Sequence, residues 1–173
     1  MVMLGLNVVG GVAVLGSYAY GLLTHPGSGE RLWGGVPQAT RPLYMTGMLL
    51  AALGYFAFTY FLFFRLDPDQ TLIAGRFDFG IFNGLYAGIL LPSALWMPLT
   101  FRMIEQPGEP VWLAIRLVLA IVGLASLGLL VALALVEPKE PGWAYWMALS
   151  GSGLFCLHTG VLDAIVWTYL YPV

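Results

Sequence analysis

The chain has 173 residues, and its 7 basic and 9 acidic side chains make up only 9% of it, where a soluble domain carries about 25%. Hydrophobic residues account for 60%, more than a soluble domain of this size hides, because such a domain buries only about 70% of its unfolded surface. A soluble enzyme and a disordered tail are excluded on these figures, and a net charge of −2 leaves no basic face for nucleic acid.

Charged residues divide the chain into long apolar runs. Met1–Thr24, Pro42–Phe64 and Phe79–Phe101 carry no charge, Val111–Val136 is interrupted only by Arg116, and Trp143–Tyr171 only by His158 and Asp163. Each run exceeds the roughly 20 residues that a helix needs to cross a bilayer core about 30 Å thick. They are also too uniformly apolar for barrel strands, which alternate over about 10 residues. The expected fold is all-α: a single five-helix transmembrane bundle over residues 1–173, partnered first of all by the lipid bilayer.

Between the runs lie Gly-, Pro- and charge-rich breakers. His25–Arg41 carries Trp33 among glycines and is expected to rest at the membrane interface. Arg65–Asp78 and Arg102–Pro110 follow, and the short Glu137–Gly142 turn makes spans four and five an antiparallel pair. With five spans the termini face opposite sides. Arg31, Arg41, Arg102 and Arg116 fall on the C-terminal side, here side B, against Arg65, Arg76 and Lys139 on side A. The positive-inside tendency then favours an outside N-terminus and a cytoplasmic C-terminus.

Chemistry is sought first in the charges inside spans. Arg116 lies one turn inside Trp112 and Asp163 one turn inside Trp167. A similar depth at the side-B ends of adjacent helices predicts that the two pair, as a functional polar site or as a structural clamp. A single charge at the bilayer centre costs about 2.5–3.5 kcal/mol on insertion scales. His158 is five residues from Asp163, about 140° away on an α-helix, so no same-face dyad is expected. A neutral imidazole bonded across the bundle is the simplest role for it, with a general base, a proton carrier or a haem ligand as alternatives.

The third span repeats glycine at Gly80, Gly84 and Gly88, the spacing of a groove for a neighbouring helix, within the bundle or between subunits. Asn83 and Tyr86 flank it. Further along, Pro92 and Pro98 remove the amide donors to the carbonyls of Gly88 and Ala94, which predicts kinks that free acceptors for Ser93, water or a ligand. A ligand pocket bounded by Ser93, Trp96, Arg116, His158 and Asp163 is the resulting expectation.

Other signals are weaker. Asp67-Pro-Asp69 lacks the ligands of a calcium loop, the aromatic run Tyr55–Phe64 is read as packing or lipid-facing surface, and Cys156 is the only cysteine, so no cysteine-rich metal site forms. Lys139 is the only lysine and sits in a loop, which excludes a retinal Schiff base. No phosphate loop, HExxH or GxSxG is present. The leading expectation is a non-enzymatic binder or carrier of a small hydrophobic or amphipathic ligand. An accessory subunit joined through Gly80, Gly84 and Gly88 is the second, and a membrane-embedded isomerase or cyclase using Asp163 or His158 the third. No cofactor is assigned.

Overall fold

The computed structural model describes residues 2–139 and 141–172. Five helices are long and apolar enough to cross a membrane, and the chain is an all-α, multi-pass membrane protein. They are α1 (Val2–Thr24), α3 (Arg41–Phe64), α4 (Gly80–Glu105), α5 (Glu109–Ala134) and the fifth span. This last begins as α6 (Trp143–Cys156), continues without a break as a π-wound segment (Leu157–Trp167), and closes with the turn Thr168–Leu170. The first connection holds a short helix, α2 (Gly29–Leu32). Pro42 and Pro110 lie in the first turns of α3 and α5, where a missing amide costs nothing and the fixed φ suits a helix.

The helices do not form a closed ring. α1 packs along α4, α4 along α5, α5 along the fifth span, and the fifth span along α3, whereas no extended packing joins α1 to α3. The side-A halves of α1 and α3 are held together by a polar contact, Tyr55 Oη donating to Asn7 Oδ1 at 2.6 Å. Nearby, Tyr86 and Thr59 share a hydroxyl hydrogen bond of 2.8 Å, which links α4 to α3. Around these contacts lies a core of Phe58, Phe82, Tyr86, Leu129, Leu133, Tyr145 and Ala148. Lipid tails are as apolar as this core, so close packing and interhelical hydrogen bonds, rather than removal of apolar surface from water, hold such a bundle together.

Closest approach is made by glycines that the third-span repeat does not include. Gly54 of α3 and Gly151 of α6 meet backbone to backbone, and a Cβ on Gly151 would lie 2.8 Å from the Gly54 Cα. Gly123 of α5 faces Gly160 in the same way, at 3.0 Å, beside a buried hydrogen bond of 2.9 Å from Thr159 to Ser126. Within the bundle the expected groove is not the packing face. Gly80 and Gly84 are exposed, a Cβ on Gly84 would meet nothing within 4 Å, and only Gly88 contacts another helix, at Ala125. The α4 face that packs is instead the one carrying Phe82, Tyr86 and Ile89, all buried.

On side A, parts of two connections form a small antiparallel sheet in the order β2-β1-β3, with β1 Leu72–Ile73, β2 Phe77–Asp78 and β3 Val136–Glu137. The β1–β2 turn has Ala74 and Gly75 both at positive φ, as a tight hairpin turn requires. Val136, placed at the end of the fourth span by its hydropathy, thus belongs to a strand. On side B the long first connection folds over the bundle. Trp167 Nε1 donates to the Leu32 carbonyl at 3.1 Å, Arg31 Nη2 donates to the Ile104 carbonyl at 2.8 Å, and Arg41 pairs with Glu30 at 2.6 Å above the Trp33 ring. Gly34, at φ 55°, lets the loop lie against Tyr171, whose ring would be 2.6 Å from a Cβ there.

Candidate functional site

Arg116 and Asp163 do not pair. The exposed residues of this part of α5 are Leu113, Arg116, Leu117, Ala120, Ile121 and Leu124, and the buried ones Ile115, Val118, Leu119, Val122 and Gly123. Helical periodicity therefore sets Arg116 on the outer stripe, from which a long side chain reaches the headgroups along the apolar surface. Trp112 and Trp167 meet at 6.2 Å between ring centroids, so the side-B ends of α5 and the fifth span are adjacent. Depth alone did not specify which way the guanidinium turns.

Asp163 instead lies beside His158. The Nε2 to Oδ2 distance is 3.6 Å, and the expectation that these side chains point 140° apart is overturned by the winding of the chain. From Leu157 to Trp167 the backbone is a π-helix, with hydrogen bonds from i to i+5. Residues five apart then stack on one face. π-winding is rare and recurs at functional sites. At 3.6 Å the contact is too long for a direct hydrogen bond. Asp163 accepts no hydrogen bond from any described residue, and 31% of its side chain stays exposed.

The other walls come from α1, α3 and α4. Tyr44 of α3 sets its ring edge-on to His158, with centroids 6.4 Å apart, and donates its hydroxyl to the Leu162 carbonyl at 3.1 Å. Gly47, one turn on, makes room for the imidazole: a Cβ there would lie 2.8 Å from His158 Nδ1. Tyr18 of α1 packs on Trp96 of α4 at 5.7 Å between centroids, and both Tyr18 and Tyr44 lie in the neighbourhood of Asp163. Trp96 continues through Trp167 at 5.9 Å to Trp112 and Tyr171, an aromatic stack beneath the folded first connection. His158 Nδ1 and Trp96 Nε1 are both buried without a hydrogen-bond partner, a condition that costs about 1–3 kcal/mol per group.

Of the five residues expected to line the pocket, Trp96, His158 and Asp163 share this region and Arg116 leaves it. Ser93 is half-buried, and α4 runs on as one helix through Pro92 and Pro98. Tyr18, Tyr44 and Gly47 join Trp96, His158 and Asp163 without a signal in the charge pattern. They lie at a comparable depth from the side-B ends of their helices, so the depth argument applied to Trp112 and Trp167 reaches them when extended to α1 and α3. Among the described residues no three His, Cys, Asp or Glu side chains converge as metal ligands. His25, the other histidine, is held at the surface by Glu105 at 2.9 Å and stacks on Phe101, far along the chain from His158. Comparison with protein-family models, with curated proteins and with solved structures returns no match.

Proposed function

We propose that the chain binds or carries a small amphipathic molecule within the membrane, its polar end at Asp163 and His158 and its apolar body between α1 and α3. The observation that supports this reading is a carboxyl group inside a span that no described residue satisfies and that is one-third open, where ionisable groups are rare and mark function. The side of the bundle on which α1 and α3 do not pack together supplies the lateral approach. Mass spectrometry of the gently extracted protein tests it. Asp163→Asn is expected to lower retention of the co-purifying molecule about tenfold or more, the effect of a lost charge-assisted hydrogen bond. Arg116→Gln is expected to leave retention unchanged. Equal retention by wild type and Asp163→Asn removes the reading.

A second reading, an accessory subunit of a larger complex, is favoured by the open space over Gly84 and the exposure of Gly80, since small residues let a second helix approach closely. On gentle extraction it predicts a defined oligomer or hetero-complex that Gly84→Val dissociates. A single small bundle whose size ignores that substitution counts against it. In either reading we place side B in the cytoplasm, on its four arginines against three basic residues.

A further inference from the structure

We infer that the molecule taken at Asp163 is a lipophilic cation, a protonated or quaternary amine with an apolar body; the inference rests on the binding role proposed above and specifies its chemistry. Asp163 accepts no hydrogen bond from any described residue, and among the described residues no Arg or Lys pairs with it. Arg41 is engaged by Glu30 and lies over Trp33, Arg31 donates to the Ile104 carbonyl, and Arg116 is on the outer stripe. His158 approaches Asp163 no closer than 3.6 Å, beyond a direct hydrogen bond. An anionic headgroup entering here meets repulsion with nothing to offset it. A neutral donor satisfies one carboxylate oxygen but brings no counter-charge that would favour the ionised form in a medium of low dielectric.

The walls select the same sign. Tyr18 and Trp96 pack at 5.7 Å, Trp96 and Trp167 at 5.9 Å, and Tyr44 stands against His158 at 6.4 Å. Aromatic faces carry the negative part of the ring quadrupole and attract organic cations, the more strongly when both are out of water. Tyr44 has its hydroxyl committed to the Leu162 carbonyl, so it presents a ring rather than a donor. Aromatic side chains in the same region as a lone carboxylate suit a bulky ammonium, which needs few hydrogen bonds and loses little on leaving water.

Three probes of equal chain length separate the possibilities: dodecyltrimethylammonium, dodecanol and dodecanoate, titrated into the full chain in an uncharged detergent and read by native mass spectrometry. The ammonium is expected to bind about tenfold more tightly than the alcohol, and more tightly still than the carboxylate. Asp163→Asn is expected to remove that preference while leaving the alcohol unchanged. Tyr18→Leu, which keeps the carboxylate, is expected to weaken the ammonium about threefold and the alcohol little, and it serves as the test if Asp163→Asn does not fold. Equal binding of ammonium and alcohol, both displacing the co-purifying molecule, overturns the cation assignment and leaves the binding role standing. Failure of all three to bind overturns both.

Discussion

Gly151→Val is expected to destabilise the bundle by about 3 kcal/mol, at the upper end of what overpacking a filled interior costs. In a thermal melt of the detergent-solubilised protein this reads as a fall in Tm of roughly 6–12 °C. The cost arises because the obstacle is backbone. A Cβ on Gly151 would stand 2.8 Å from the Gly54 Cα and 3.0 Å from its carbonyl oxygen, and a main chain inside a helix has no rotamer with which to yield. The two helices must separate or slide, and this contact lies on the most extensively packed pair in the molecule, α3 with α6. Gly84→Val supplies the contrast, with an expected change within about 0.5 kcal/mol in the isolated chain, since nothing lies within 4 Å of the added carbon. Equal losses in the two variants contradict this account of the packing.

The same pair shows what a sequence discloses about such a bundle. The five spans were legible to within a few residues because the constraint behind them is one-dimensional: a charge inside a span is costly wherever it points. Facing is different. In lipid the outward residues are as apolar as the inward ones, so no hydrophobic stripe marks the core side, and both faces of α3 and α4 read alike. Gly80, Gly84 and Gly88 are conspicuous through their spacing, yet the contacts are made by single glycines, Gly54 with Gly151 and Gly123 with Gly160, which meet across chain distances that periodicity does not see. Trp112 and Trp167 meet at the side-B ends of their helices, whereas Arg116 lies on the outer side of α5 one residue after buried Ile115.

The His158–Asp163 pair failed for a different reason. The 140° separation follows from 3.6 residues per turn, and nothing in Leu157–Trp167 announces another winding. The segment holds no proline, and its only glycine is Gly160. Tertiary contact coincides with the winding at Gly160 against Gly123, at Thr159 against Ser126 and at Trp167 against the Leu32 carbonyl. The identity and depth of the site residues are therefore legible locally, whereas their mutual orientation goes with packing against two neighbouring elements, α5 and α2.

Gly47→Ala is expected to reduce retention of the bound molecule about tenfold while leaving the melt nearly unchanged, although it adds a single uncharged carbon on another helix. That carbon would lie 2.8 Å from His158 Nδ1 and 3.2 Å from Leu162 Cδ1. The aliphatic side chain can rotate away. The imidazole is buried, with Tyr44 edge-on to it and Asp163 at 3.6 Å, so any shift of the ring alters the space beside the carboxylate that the ligand's polar end is proposed to use. A double-mutant cycle isolates this route. In a His158→Ala background the obstructed ring is gone, and Gly47→Ala should then cost retention nothing further. An additive loss in the double variant, with both singles folded, means that Gly47 acts through the helix contact rather than through the imidazole, and it detaches His158 from the binding site. A loss confined to the wild-type background ties the π-wound face of the fifth span to the ligand without altering any charge in the crevice.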